Sequence, residues 1–334
     1  MIPLPNGYTA HPIRIEDAET MLALYHAVSL KLIGETEETL DEITEMLEAP
    51  SLDLERDTLS IYDANGTLVA FGTVSMQVPQ NVEVDLYLHP DLWERDSVVM
   101  PYLRQWADAR AHDALALVPE HERVTATAWR HHHDDWYAQQ MAQIGFETIR
   151  SSYQMWIDFN EPLPVPVFPE GVSVRVVSRD EDWQRIYDAR REAWHDMWGY
   201  VPLTYEQDYA HWREYWDKNF SDGYWYIAEK DGIVIAICLG EPDYNGDPSV
   251  TYIATVGVRR AHRQQGLGLA LLQHALGQLQ GMGNRAACLY VDASSLTGAV
   301  RLYERAGMHI KMRFERMEKE LRAGFDQRVQ VAGV

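Results

Sequence analysis

The sequence predicts an α/β protein built as two tandem domains, each with a mixed central sheet flanked by helices. Three observations lead to this prediction. The chain has 334 residues, a length that suits two domains of roughly 150 residues each. A proline-rich stretch, NEPLPVPVFPEG at 160–171, lies near its middle. The two halves on either side show the same order of strand and helix patterns.

The proline-rich stretch marks the domain boundary. Four prolines fall close together there: Pro162, Pro164, Pro166 and Pro169. Proline lacks an N–H group and fixes φ, so this stretch is neither a helix nor an interior strand. We predict an extended linker at 161–171 between a domain at 1–160 and a domain at 172–321, with residues 322–334 as a loose tail.

The second half alternates between period-2 and period-3.6 hydrophobic patterns. Asp231-Gly232, between two apolar runs, is a strong hairpin signal. The expected order is strand, two helices, three strands, helix, strand, helix and strand, at 172–177, 182–198, 205–218, 224–228, 233–239, 250–258, 266–279, 286–291, 297–306 and 308–317. The first half repeats this order at 8–15, 17–48, the hairpin around Gly66, 82–88, 96–112, 123–129, 133–143 and 150–159.

Matching residues recur in the two halves at offsets of 162 to 166 positions. The pairs are Leu24-Tyr25 with Ile186-Tyr187, Gly66 with Gly232, Gly145 with Gly307, and Met155 with Met317. Their common order and nearly constant offset predict a duplicated domain. The alternative is chance matching of a common α/β pattern.

Composition limits the partners and the compartment. The formal net charge of −22 disfavours nucleic acid and anionic membranes and attracts amines, although acidity also serves solubility alone. Cys238 and Cys288 are too few for a disulfide framework. No signal peptide and no apolar run long enough for a membrane span are visible, so we expect a cytoplasmic protein.

The segment TVGVRRAHRQQGLGLALLQHAL, at 255–276, carries the clearest functional pattern. A strand leads into a basic loop with Arg259, Arg260 and Arg263, and a helix begins at once. The first turn of a helix has unpaired N–H groups and the positive end of the dipole, which suit a pyrophosphate. Gly266 and Gly268 allow a phosphate to approach the main chain closely.

This R-x-x-G-x-G pattern after a strand resembles the pyrophosphate-binding loop of the GNAT superfamily. A dinucleotide fingerprint fits less well, because its third glycine would fall at Leu271, and a P-loop lacks its G-K-[ST]. The resemblance implies a GNAT-like fold, acetyl-CoA as co-substrate, and a backbone N–H at the strand end that polarises the thioester carbonyl. The implied cofactor-binding residues are Val256, Gly257, Val258, Arg263, Gln264, Gln265, Gly266, Leu267 and Gly268.

A second segment, CLYVDASSLTGAVRLYERAGM at 288–308, is similar to the GNAT segment with an LY-x-x-x-G pattern. In that family the helical tyrosine lies near the acyl-CoA sulfur, which makes Tyr303 the candidate general acid for the departing thiolate. The alternative is that Tyr303 only packs. The family often has asparagine where Ser295 stands, and we expect Ser295 to contact the pantetheine arm.

The corresponding loop of the first half, LYLHPDLWERDSVVMPYLRQW at 86–106, has no glycine and contains Asp91, Glu94 and Asp96. These acidic side chains repel pyrophosphate. Met141 stands at the position that corresponds to Tyr303. We therefore predict a degenerate GNAT-like first domain without a cofactor loop.

The general base is less clear. Tandem-domain members of the family carry an acid in the strand before the cofactor loop, and Tyr252 aligns near that position. Tyrosine is not a base at neutral pH. Glu241 and Asp243, just after the preceding strand, are the candidates, with Glu241 preferred. The alternative is that both are solvated loop carboxylates.

Together these patterns predict an N-acetyltransferase that transfers acetyl from acetyl-CoA to a primary amine of a small molecule. The alternative is a non-catalytic acyl-CoA-binding or regulatory protein on the same scaffold. Acetylation of protein termini or lysines ranks lower because a fused domain tends to enclose the cleft. Arg130-His131-His132-His133 does not predict a metal site, because adjacent histidines cannot all face one ion. The oligomeric state stays open.

Overall fold

The computed structural model describes residues 3–95, 98–180, 183–195, 197–200, 203–295 and 298–328. Its strands are Thr9–His11 (β1), Thr58–Tyr62 (β2), Leu68–Ser75 (β3), Asn81–Leu88 (β4), Val124–His131 (β5), Glu147–Asp158 (β6), Ser173–Val176 (β7), Trp225–Lys230 (β8), Ile233–Glu241 (β9), Val250–Val258 (β10), Ala286–Asp292 (β11) and His309–Arg322 (β12). Its α-helices are Ala18–Ile33 (α1), Leu40–Glu48 (α2), Leu54–Asp57 (α3), Val99–His112 (α4), Asp135–Ala142 (α5), Trp183–Trp194 (α6), Tyr205–Asn219 (α7), Leu267–Gly281 (α8) and Ala299–Arg305 (α9).

The chain forms two compact units. The first contains Met1–Arg150 and Phe314–Asp326, and the second contains Ser151–Arg313 and Gln327–Val334. In the first unit β1 to β4 pair in succession as antiparallel neighbours, β4 pairs parallel with β5, and β5 pairs antiparallel with β12. In the second unit β7 to β10 pair antiparallel in succession, β10 pairs parallel with β11, and β11 pairs antiparallel with β6. Each unit therefore has the predicted mixed sheet.

The unit boundaries differ from the domain boundaries expected from the sequence. The last strand of each half pairs within the other unit, since β6 pairs with β11 and β12 pairs with β5. Strand periodicity is the same whichever partner a strand takes, so the sequence could not show this exchange. The linker itself, at 161–171, contains no helix or strand.

Residues 322–326 are held in place, unlike the loose tail expected from 322 onward. Arg322 belongs to β12. The Phe325 N–H donates to the His121 carbonyl at 2.8 Å, and the Arg123 N–H donates to the Phe325 carbonyl at 3.0 Å. Residues 329–334 of the expected tail lie outside the described residues.

The two halves place their matching residues at equivalent points of the fold. Gly66 and Gly232 lie in the turns between paired strands with φ of 79° and 76°. Gly145 and Gly307 follow α5 and α9 with φ of 90° and 98°. This left-handed conformation favours glycine, which explains why both copies have it.

Helices cover both faces of the sheet in the second unit. Leucines of α8, such as Leu271, Leu272 and Leu276, are buried against β8 to β11. Trp212 and Trp216 of α7 are buried with α6 against the other side of β8 and β9. The prediction for α6 extended to 198, but the helix ends at Trp194 and the chain turns at Gly199, where φ is 79°. Among the described residues no helix is long and apolar enough to span a bilayer.

Candidate active site

The free edge of β10 forms the floor of the candidate site. Its parallel register with β11 runs from Val250 opposite Ala286 to Tyr252 opposite Cys288, and goes no further. On its other edge β10 stays paired with β9 as far as Val258, with an irregularity between Ile253 and Thr255. The last residues of β10 therefore pair with β9 on one edge and have no strand partner among the described residues on the other.

Two N–H groups point to this free edge. The Arg259 N–H donates to the Ile235 carbonyl of β9 at 2.9 Å. Antiparallel pairs alternate between hydrogen-bonded and non-hydrogen-bonded positions, so Gly257, opposite Ile237, also directs its N–H toward β9. The N–H groups of Val256 and Val258 consequently point away from β9, toward the free edge. They are the groups able to polarise a carbonyl placed there.

Gly257, one of the residues expected to bind the cofactor, is also closely packed. A Cβ atom at this position would lie 2.9 Å from the Ala193 Cβ atom of α6. The glycine thus allows α6 to pack closely on β10, and its own N–H is used in the sheet.

The loop after β10 ends in an anion cradle at the beginning of α8. Gly266 caps the helix with φ of 78°, and no atom lies within 4 Å of the Cβ position. The first helical hydrogen bond runs from the Ala270 N–H to the Gly266 carbonyl at 3.0 Å. The N–H groups of Gly266, Leu267, Gly268 and Leu269 therefore have no acceptor within the helix. No acidic residue occurs at 255–276, so the cradle suits a pyrophosphate.

Gly268 brings α9 against this cradle. A Cβ atom there would lie 3.2 Å from Leu302 Cδ1 and 3.2 Å from Val258 Cγ2. Leu267 is 2% exposed and anchors the first turn of α8 in the core. The close packing at Gly268 places α9, and with it Tyr303, beside the end of β10.

The arginines of the loop are tied to the protein itself. Arg263 donates from Nε to the Val258 carbonyl at 3.0 Å. Arg259 donates from Nε to the Val234 carbonyl at 2.7 Å and pairs with Glu192 at 3.0 Å. These bonds fix the path of the loop while leaving positive charge beside it.

The two glutamines and Ser295 complete the set of expected cofactor-binding residues. Gln264 and Gln265 are exposed, Gln264 with φ of 61°, and Gln265 donates from Nε2 to the Ala261 carbonyl at 3.4 Å. Ser295 lies in the turn after β11, where its N–H donates to the Asp292 carbonyl at 3.0 Å. Residues 296 and 297 lie outside the described residues.

Tyr303 lies on α9 in the same core as α8 and is 9% exposed. Within the described residues, no group forms a hydrogen bond with its hydroxyl. Burial raises the pKa of Tyr303 well above its ordinary value, and Cys238 and Tyr252 raise it further. The hydroxyl is therefore protonated over the whole physiological range.

Glu241 ends β9 directly opposite Tyr252 of β10. The Tyr215 hydroxyl of α7 donates to Glu241 Oε1. Burial raises the pKa of Glu241, and the bond from Tyr215 lowers it in part. Burial, followed by the charge of Glu241, raises the pKa of Tyr252, so Tyr252 stays neutral at physiological pH. Asp243, the other candidate base, is exposed in the following loop.

Sequence reasoning missed Tyr215, which bonds to Glu241 from α7, and Arg190 of α6, which acts on Tyr215. Burial lowers the pKa of Arg190, and its guanidinium lies over the Trp194 ring at 4.0 Å. Arg190 also acts electrostatically on Tyr215. Neither residue belongs to a motif, so only their positions in space reveal them.

Among the described residues of the first unit, no glycine cap like Gly266 lies between β4 and α4. The segment after β4 forms a short turn at Pro90–Leu92, where Arg95 donates to the Asp91 carbonyl at 3.0 Å. Met141, which corresponds to Tyr303, is fully buried. The neighbouring histidines pair with carboxylates: His131 with Glu37 at 2.8 Å and His132 with Glu315 at 2.9 Å.

Comparison with known proteins agrees with this geometry. Residues 183–308 match the family model described as the acetyltransferase (GNAT) family. A GCN5-related N-acetyltransferase from Sphaerobacter thermophilus has 30% sequence identity and a TM-score of 0.84, over 97% of this chain and 99% of that one. The chain belongs to the GNAT acetyltransferase family.

Two further matches concern relatives and architecture. A mycothiol acetyltransferase of Pseudarthrobacter chlorophenolicus is 28% identical over 245 residues, which are 72% of this chain and 71% of that protein. A tandem GNAT protein from the clavulanic acid biosynthesis pathway has a TM-score of 0.68 at 17% identity, over 95% of this chain and all of that one. This likeness shows the fold and fits two GNAT-like domains. GNAT enzymes use acetyl-CoA as acyl donor, and the cradle at α8 suits its pyrophosphate.

Proposed function

We propose that the second unit transfers the acetyl group of acetyl-CoA to the primary amine of a small molecule. The observation that carries this proposal is the combination of unpaired N–H groups at Gly266–Leu269 with the free edge of β10. The N–H groups suit the pyrophosphate of acetyl-CoA, and the free edge of β10 suits its acyl arm. The names of the mycothiol acetyltransferase relatives support a small-molecule acceptor.

Each step of the transfer has a candidate group in this chain. The cradle and Ser295 hold the donor, and the N–H groups of Val256 or Val258 polarise the thioester carbonyl. Glu241 accepts the proton that the attacking amine must lose. The Tyr303 hydroxyl donates a proton to the departing thiolate. The raised pKa of Glu241 brings this carboxylate closer to the pKa that a base needs near neutral pH.

The test is a titration with acetyl-CoA by calorimetry, followed by thiol release against a panel of small primary amines. Saturable binding and amine-dependent thiol release support the proposal. Binding without turnover on any amine of the panel would favour the alternative of a non-catalytic acyl-CoA-binding protein. Turnover on peptides alone would move the acceptor to protein.

A further inference from the structure

The first unit contains a cavity that the proposed reaction does not use. Its volume is about 230 Å³, and its walls come from α1, α5, β4, β5, the segments next to them and Phe314 of β12. The register of β4 with β5 ends at Glu83 opposite Thr127. The cavity is lined by the residues that follow on both strands, including Asp85, Tyr87 and Trp129.

Aromatic rings form much of the wall. The lining rings include Tyr25, Tyr87, Trp93, Trp129, Trp136 and Tyr137. The ring centroids of Tyr25 and Tyr87 are 4.1 Å apart, and those of Trp93 and Trp136 are stacked at 5.0 Å. Hydrogen bonds fix both indoles, because Trp93 Nε1 donates to the Leu88 carbonyl and Trp136 Nε1 to the Trp93 carbonyl, at 2.9 and 3.0 Å. The wall is therefore held in place before any ligand binds.

Carboxylates share this wall, and two of them have oxygens without partners. Within the described part of the chain, Asp85 makes no hydrogen bond and no ion pair. Glu38 Oε2 is buried and has no hydrogen-bond partner there. Burial, with a contribution from Glu83, raises the pKa of Asp85 to about 6. A buried carboxylate without a partner is unfavourable, and a cation relieves that cost.

Two positive or potentially positive groups line the cavity, Arg130 and His131, and among the described residues the Arg130 Nε atom is buried without a hydrogen-bond partner. Arg130 donates from one terminal nitrogen to the carbonyls of His131 and His132 at 3.1 and 2.9 Å. The His131 Nε2 atom pairs with Glu37 at 2.8 Å. The cavity thus combines aromatic faces with an unpaired carboxylate, the arrangement that recognises organic cations.

We infer that the first unit holds a second ligand site, which binds a small organic ammonium ion against Asp85 and the surrounding aromatic rings. The site is independent of acetyl transfer and takes no part in that reaction. The ammonium charge pairs with the carboxylate, and its methyl or methylene groups contact the rings. A polyanion such as coenzyme A is disfavoured there by Glu38 and Asp85.

Isothermal titration calorimetry with choline on the full chain at pH 8, without acetyl-CoA, tests this inference. The control ligand is 3,3-dimethylbutan-1-ol, which has the same shape without the charge. We expect choline to bind saturably and at least tenfold more tightly than the neutral alcohol. Asp85→Asn weakens choline binding at least tenfold, whereas Asp91→Asn, at a side chain that is 78% exposed, leaves it unchanged.

A second variant covers the case in which Asp85→Asn perturbs folding. Trp129 is 43% exposed, so Trp129→Leu removes a wall ring at little cost in packing, and it should also weaken choline binding. The inference is overturned by absence of choline binding, by equal affinity for the neutral alcohol, or by unchanged affinity in both variants. Loss of choline binding in Glu241→Gln alone would place the cation in the second unit and would also overturn it. Because the titration contains no acetyl-CoA, its outcome is separate from that of the proposed acetyl transfer.

Discussion

Glu241 and Tyr252 face each other across the ladder between β9 and β10, and burial raises the pKa of both side chains. Tyr252 stays neutral at physiological pH, so Glu241 is the member of this pair that we propose as the base.

Removal of this carboxylate tests its role as base. We expect Glu241→Gln to lower kcat roughly 100-fold or more, because general-base catalysis contributes about that much. Acetyl-CoA affinity, measured by calorimetry, should stay unchanged. Asp243→Asn is the matched control, since it changes a nearby exposed carboxylate in the following loop. Equal effects of the two substitutions would contradict the assignment.

A substitution at Tyr215 tests whether the ionisation of Glu241 determines the acidic limb of the pH profile. The hydrogen bond from Tyr215 lowers the pKa of Glu241, so Tyr215→Phe should raise that pKa and move the acidic limb of kcat/KM to higher pH. The plateau rate at high pH should change little. Tyr205→Phe is the control. It removes a hydroxyl of α7 that donates to Asp188 of α6, and it should leave the acidic limb in place. An unshifted acidic limb in Tyr215→Phe would show that the ionisation of Glu241 does not determine the pH dependence of kcat/KM.

Tyr303→Phe removes the proposed proton donor. We expect kcat to fall roughly 100-fold with little change in acetyl-CoA affinity, because the hydroxyl acts on the leaving thiolate. Tyr226→Phe serves as control, since Tyr226 packs in the same core and its hydroxyl donates to the Gly223 carbonyl. A normal rate in Tyr303→Phe would show that this tyrosine only packs.

A carboxylate in the cradle should prevent donor binding. Gly266→Glu places a negative charge in open space beside the unpaired N–H groups, and we expect the Kd for acetyl-CoA to rise roughly 100-fold or more. Gly232→Glu is matched in backbone strain, with φ of 76° against 78°, and its Cβ also meets open space. Calorimetry should show normal binding for Gly232→Glu. Normal acetyl-CoA binding in both variants would contradict the assignment of the cradle as the pyrophosphate site.

Asp85 makes stability depend on pH in the empty protein. Its pKa is about 6 when folded, against an ordinary value of 3.8, so the folded state favours the protonated form. This difference in pKa stabilises the folded state most below pH 4, and the stabilisation is lost as pH rises toward 6. The free energy of unfolding falls by at most about 3 kcal/mol over this range. Asp85→Asn should therefore raise Tm at pH 8 and have little effect at pH 4, whereas Asp91→Asn should change neither. A lowered Tm at pH 8 would contradict an unpaired Asp85.

The fold was largely predictable because its signals are local. The hairpin at Gly232, the helix that begins after Gly266, and the repeated pattern of the two halves all follow from nearby residues. The exchange of β6 and β12 was not predictable, because a strand pattern does not name its partner. Tyr215 was not predictable either, because its hydrogen bond to Glu241 joins a helix and a strand that are far apart in the sequence.

The central claim is tested most directly by mass spectrometry of the acceptor amine after a single turnover. The unmodified chain should yield acetylated amine in the same amount as released coenzyme A, and Gly266→Glu should yield neither. Release of coenzyme A without any acetylated amine, or equal product from Gly266→Glu, would contradict the proposed acetyl transfer.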